Sequence, residues 1–195
     1  LKLLKAIIDN NIKLKWGAQI TVDVGDDPEV LHYLHKAGCR LLFIGMETVN
    51  QENLAGVNKK YLVQSYKERL NNINKSGIKV AGYFMFGFDK DTTETPEMLY
   101  DFISSVKVSI PILNILIPVP GTRIFQRLKE ENRILFKEEQ DLLKNNSFYN
   151  SACNTCFFIP KLMTAKEAER GFLELYGKLA GYFQIIKRSL CFNPV

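Results

Sequence analysis

The sequence predicts an α/β fold: parallel strands alternating with helices, forming part of a (β/α) TIM-like barrel, followed by a mainly helical C-terminal extension. Three observations predict it. Apolar strand patterns and amphipathic helix patterns alternate from Gly17 onward. No connection between strand patterns is short enough for a hairpin, so neighbouring strands must run parallel. After Arg133 the alternation stops, and a capping box introduces one long amphipathic helix.

Leu3, Leu4, Ile7, Ile8 and Ile12 trace one helical face within Leu1–Lys15. Gly17–Val24 alternates, with Gln19, Thr21 and Asp23 on one side and Ile20, Val22 and Val24 on the other, which predicts a strand with one polar face. Asp27-Pro28-Glu29 supplies an N-cap side chain, a proline suited to the first turn and a carboxylate near the positive end of the helix dipole. The helix it starts carries Val30, Leu31 and Leu34 and stops at Gly38. Arg40–Met46 follows as a strand, Glu47–Asn53 as a polar loop, and a helix over about Tyr61–Lys75 stops at Gly77. Lys79–Phe88 is the next strand, and Thr95-Pro96-Glu97 opens a helix reaching about Val106. Asn114–Val119, closed by Pro120-Gly121, is a further strand, and Thr122–Asn132 is helical. Residues 1–133 are thus one barrel portion. In residues 134–195, Lys144–Ile159 has no clean period, and Thr164-Ala165-Lys166-Glu167 caps a helix reaching about Leu190, an extension packed on the α/β body.

With 195 residues, of which 46% are hydrophobic and 24% charged, the chain buries a substantial core. The net charge of +5 is spread along the chain, so no basic arm points to nucleic acid. No apolar run reaches the ~18–20 residues of a membrane span, and Leu1–Lys15, with helical spacing and interspersed lysines, is expected to be a helix rather than a cleavable apolar core. The cysteine spacing is not a disulfide framework, which predicts a reducing, cytoplasmic setting.

In parallel α/β folds the ligand site lies where strands lead into helices. The polar face of Gln19, Thr21 and Asp23 has two readings: a barrel lumen whose polar groups meet a polar cofactor, or an edge strand with one wet face. Glu47 leaves the next strand, where it either accepts hydrogen bonds from a ribose or an amino group or only caps the loop. Gly87 either allows backbone to approach a ligand or only makes a tight turn. Asp89, Asp91 and Thr92 are expected to solvate their loop rather than bind a metal. His32 and His35, the two histidines, share a helix without an acidic or cysteine ligand beside them in sequence, so packing or surface roles are expected. Cys153 and Cys156 have the two-residue spacing of zinc and redox sites, but a second pair is missing. A structural or incidental pair is expected.

Several segments together resemble one family. Ala37-Gly38-Cys39-Arg40-Leu41-Leu42-Phe43-Ile44-Gly45-Met46-Glu47-Thr48 is similar to the strand-four signature of radical S-adenosylmethionine barrels. Gly82-Tyr83-Phe84-Met85-Phe86-Gly87-Phe88-Asp89-Lys90-Asp91 resembles the strand-five segment of the subgroup with an N-terminal cobalamin-binding domain. Asn114–Arg123, with Pro120-Gly121-Thr122, resembles its strand six, and Phe158-Ile159-Pro160-Lys161 resembles its C-terminal extension. The order and spacing of these segments carry the resemblance across nearly the whole chain.

The resemblance implies that Gln19 lies near the amino group of S-adenosylmethionine, where many relatives have Glu. It implies Glu47 near the ribose or methionine moiety and Lys59 at the methionine carboxylate. Tyr83 and Met85 would stand beside the cofactor, and backbone near Ile117 by the adenine. It also implies a 4Fe-4S cluster and, from the subgroup, cobalamin. The family's CxxxCxxC loop is absent from the sequence, and a cluster needs thiolate ligands. The expectation is a fragment, inactive alone, whose cluster loop precedes Leu1. The intact enzyme would cleave S-adenosylmethionine reductively and abstract hydrogen from a small-molecule substrate, with methyl transfer as one outcome. The alternative is a non-catalytic α/β module that binds a nucleotide or a partner.

Overall fold

The computed structural model describes residues 1–56, 63–106, 108–136, 154–181, 185, 186 and 188. Helix α1 is Lys2–Asp9, strand β1 Trp16–Gln19, and a 3-10 turn covers Val22–Asp26. Then come α2 Pro28–Lys36, β2 Cys39–Glu47, α3 Gln51–Gly56, α4 Val63–Lys75 and β3 Lys79–Phe86. Helix α5 is Thr95–Ser105, β4 Ile110–Ile115, α6 Arg123–Glu130 and α7 Ala165–Ala180. The strands form one sheet in the order β1-β2-β3-β4, and every neighbouring pair is parallel. Successive strands are thus spatial neighbours joined by helical crossovers, as a barrel segment requires.

The two faces of the sheet differ. Leu42, Ile44 and Met46 of β2 and Val80, Phe84 and Phe86 of β3 are buried under the helices. Phe84 meets Phe102 of α5 edge-on at 6.2 Å, and Tyr66 of α4 meets the same ring at 6.3 Å. The opposite face carries Gln19, Phe43, Tyr83, Met85, Ile112 and Asn114, which register places side by side. These residues are half-buried or exposed, although parallel sheets are normally covered on both sides. In a barrel segment this face would be the inner wall.

Local chemistry sets the element ends. The Asp27 carboxylate accepts the N–H of Val30 at 2.9 Å, and Pro28 is the first helical residue. Thr164 and Glu167 form the complete capping box of α7. Among the described residues, the extension is tied to the barrel at several places. Ile134 bridges Phe158 in antiparallel fashion, and Gly171 of α7 packs so closely on α5 that a Cβ there would lie 2.8 Å from Pro96.

Four sequence expectations are corrected. Strand β1 ends at Gln19, so Thr21 and Asp23 lie outside it; the segment turns because Val22 and Val24 are drawn under α4. A Cβ on Gly25 would lie 2.7 Å from the Arg69 backbone, Asn72 donates to the Gly25 carbonyl, and Arg69 clasps Asp26. Strand β4 occupies Ile110–Ile115 rather than Asn114–Val119, since β3, its only strand partner among the described residues, ends at Phe86 opposite Ile115. Ile117 therefore lies beyond the strand. The first helix stops at Asp9, and the loop after Glu47 contains α3.

Candidate functional site

The carboxyl ends of β2 and β3 are each shaped by an unusual turn. At Glu47, the last residue of β2, the backbone adopts φ +65°. The N–H of Thr48 returns to the carbonyl of Met46 at 2.8 Å, closing a γ-turn of the rare, strained hand around Glu47. The hydroxyl of the fully buried Tyr66 donates to the same carbonyl at 3.3 Å. The β2–β3 register slips between Gly45 and Glu47, so Glu47 stands opposite Phe84. Strain in a non-glycine residue at the ligand end of a parallel sheet is a functional signature, because the surrounding structure must hold it there. Glu47 is half-buried and engaged by neighbouring groups.

One strand over, β3 ends at Phe86 and Gly87 turns with φ +106°. Only glycine adopts this conformation without cost. A Cβ there would also meet the Phe158 ring at 3.3 Å. The next residues are held by charge. Asp89 is paired with Arg127, with Arg133 at 3.1 Å and with Lys161 at 3.3 Å. Burial pushes its carboxyl up, but hydrogen bonds from Arg127, Arg133 and Lys161 outweigh that and hold it below the usual carboxylate range. Arg133 also binds Glu131 and donates Nε–H to the Ile159 carbonyl at 2.6 Å, so it joins barrel and extension.

The sequence-implied residues sort as follows. Gln19, Tyr83 and Met85 share the inner face, with Phe43 between Gln19 and Tyr83 in register and 6.3 Å from the Tyr83 ring. Glu47 and Gly87 sit on the adjoining strand ends. Ile117 is half-buried, two positions past β4. Lys59 lies outside the described residues. Thr21 and Asp23 instead bond to each other in the 3-10 segment. Asp91 is not a solvated loop residue: it is fully buried and gathers the N–H groups of Gly87 and Phe88. An Asp before Thr in a charged loop carries no sign of burial, so nothing in the sequence pattern exposes this role.

The polar groups and half-exposed aromatic residues of this wall suit a polar ligand with an aromatic ring. A cluster is not provided for among the described residues. Cys39 and Cys156 are buried free thiols, and no group of three His, Cys, Asp or Glu could hold a metal ion. Burial pushes the Cys156 thiol up to about 11, and it donates to the Phe158 carbonyl. Cys153 lies outside the described residues. His32 and His35 border a cavity of about 430 Å³ between α2 and α4, on the outer side of the sheet.

Comparison with known proteins decides the family. The profile of the Radical SAM superfamily matches residues 2–103. The chain belongs to the Radical SAM superfamily. Among curated relatives, it is 33% identical over 135 residues to bacteriochlorophyllide d C-12(1)-methyltransferase of Chlorobaculum tepidum, covering 68% of this chain and 30% of that protein. It is 28% identical over 182 residues to the anaerobic magnesium-protoporphyrin IX monomethyl ester cyclase of Cereibacter sphaeroides, covering 93% of this chain and 27% of that protein. Both are enzymes, and the chain spans less than a third of either. The fold matches that of TsrM, a radical S-adenosylmethionine methyltransferase from Kitasatospora setae whose structure holds cobalamin and a 4Fe-4S cluster. The TM-score is 0.58 at 19% identity, over 67% of this chain and 27% of that one. Among the described residues, no helix is long and apolar enough to cross a membrane.

Proposed function

We propose that this chain forms the S-adenosylmethionine-facing wall of a radical enzyme, with residues 1–133 as barrel and 134–195 as an extension that closes one end. The strained Glu47 turn beside the Gly87 turn, above a half-exposed inner face, carries this reading. Gln19 and Glu47 would accept hydrogen bonds from the ammonium and ribose groups, because carbonyl and carboxylate oxygens pair with N–H and O–H donors. Lys59 would bind the methionine carboxylate. Tyr83 and Met85 would pack beside the cofactor, and the left-handed turn at Gly87 would keep backbone close to it. Backbone near Ile117 would border the adenine.

When bound and cleaved with an electron from a cluster, S-adenosylmethionine would supply hydrogen abstraction, while a methyl group would come from a separate S-adenosylmethionine not cleaved in that way; the protein's share is positioning and exclusion of water. The described cysteines do not form the cluster's ligand set, so its thiolates would come from another segment of the same polypeptide. The methyltransferases among the relatives, and cobalamin in TsrM, support methyl transfer to a small molecule with cobalamin as the second cofactor. A cytoplasmic location suits the cysteine usage.

Affinity for S-adenosylmethionine in the cluster-loaded, full-length protein tests the site. Glu47→Gln and Gln19→Ala are each expected to weaken binding about tenfold, the size of one lost charge-assisted hydrogen bond. Unchanged affinity in both variants would remove the inner face from the site.

A further inference from the structure

Asp91 has no exposed surface, although it lies in a charged loop. Its Oδ2 accepts the N–H of Gly87 at 2.8 Å and of Phe88 at 2.9 Å. Its Oδ1 accepts from Asn53 Nδ2 at 2.7 Å. Asn53 is buried too, and its Oδ1 accepts the N–H of Lys90 at 3.1 Å. The pair therefore ties α3, which follows the Glu47 turn, to the exit of β3.

Both Asp91 oxygens face donors. A proton on Oδ2 would confront two backbone N–H groups, and one on Oδ1 would confront the Asn53 amide. The hydrogen-bond pattern therefore requires the anion. Burial nevertheless pushes the carboxyl up to about 6, against hydrogen bonds from Gly87, Phe88 and Asn53 that lower it. The charged groups on the adjoining elements are engaged elsewhere. Glu52 of α3 pairs with Lys90 at 3.5 Å, and Asp89 is taken by Arg127, Arg133 and Lys161. A costly buried charge devoted to two backbone N–H groups at the ligand end of a strand is a feature kept for shape.

We propose that Asp91 is a positioning residue for the cofactor-facing rim: as an anion held by Asn53, it fixes the left-handed turn at Gly87 and locks that turn to the loop after Glu47. The proposal rests on the reading of this rim as the S-adenosylmethionine site. It acts through backbone, not by touching the ligand.

The test uses the cluster-loaded, full-length protein as wild type, as Asp91→Asn, and with Asn53→Asp combined with Asp91→Asn. Two quantities are read above pH 6, where Asp91 is the anion: hydrogen-exchange protection at the Gly87 and Phe88 amides, and affinity for S-adenosylmethionine. Wild type is expected to show full protection and affinity there. Asp91→Asn is expected to lose protection and about tenfold in affinity, because its amide nitrogen opposes the Asn53 amide. The combined variant restores donor-to-acceptor pairing: the new amide oxygen takes the backbone N–H groups, and the new carboxylate takes the amide and the Lys90 N–H. Recovery of protection and affinity there is the result expected, and it carries the test even if the single variant unfolds. Wild-type protection and affinity in Asp91→Asn, or no recovery in the combined variant, would overturn the proposal. If the Gly87 amide responds as expected but wild type binds no S-adenosylmethionine, the site reading fails and the positioning role falls with it. If wild type binds and Asp91→Asn leaves amide and affinity unchanged, only the positioning role fails.

Discussion

The charge on Asp91 also sets how stability responds to pH. Its carboxyl is raised from 3.8 to about 6 by burial, so folding holds the neutral form more readily than the unfolded chain does. The contribution is fully present below the unfolded value and is lost as pH rises through about 6. The shift corresponds to about 3 kcal/mol in all, of which roughly 1 kcal/mol is regained between about pH 7 and about pH 5. His35 opposes it in the same window: burial, then Arg40 and His32, lower its pKa, so stability is lost as pH falls through the histidine range. Asp89, Glu131 and Glu167 are all held low, so their contributions persist until the pH drops beneath the usual carboxylate values. Comparing wild type with Asp91→Asn at each pH cancels these groups. Equilibrium urea unfolding should show the difference between the two shifting by about 1 kcal/mol in favour of wild type from about pH 7 to about pH 5. A flat difference would refute the buried charge.

Three further outcomes follow from the same contacts. Tyr66→Phe keeps the packing on Phe102 but removes the hydroxyl from the Met46 carbonyl; it should cost about 1 kcal/mol in urea unfolding and raise exchange at the Thr48 amide. Arg133→Met strips a buried guanidinium from Asp89, Glu131 and the Ile159 carbonyl while Arg127 and Lys161 remain beside Asp89. A loss of about 2–3 kcal/mol is expected, with proteolysis entering the extension before the barrel. Thr164→Ala breaks the capping box of α7 and should lower stability by about 1 kcal/mol in thermal or urea unfolding.

Much of the fold is legible in the sequence because its signals are local. Asp27-Pro28, Gly38 and Thr164–Glu167 each mark a helix end by chemistry confined to a few residues, and the structure places ends there. The alternating strands and helices suffice for a parallel sheet. What fails depends on distant partners. Gly17–Val24 keeps a strand's period, yet Val22 and Val24 are buried beneath α4 because Arg69 and Asn72 pull the chain into a 3-10 turn. Asn114–Val119 is as apolar as a strand, but pairing is decided by where β3 ends.

The candidate site divides in the same way. Gln19, Tyr83 and Met85 follow from strand alternation, and the structure sets them on one face. The backbone hand at Glu47 and the burial of Asp91 are long-range results, fixed by Tyr66 and Asn53. Residue type alone reveals neither. The resemblance in sequence supplied the candidate residues, while the turns at Glu47 and Gly87 supply a physical reason for their placement.

If this wall serves S-adenosylmethionine cleavage, as proposed, the intact enzyme must release 5′-deoxyadenosine. The direct measurement is anaerobic incubation of the full-length, cluster-loaded protein with S-adenosylmethionine and a strong reductant, followed by quantification of 5′-deoxyadenosine. Wild type is expected to form it, with a marked loss in Glu47→Gln. A fully loaded cluster that yields no 5′-deoxyadenosine would contradict the proposal.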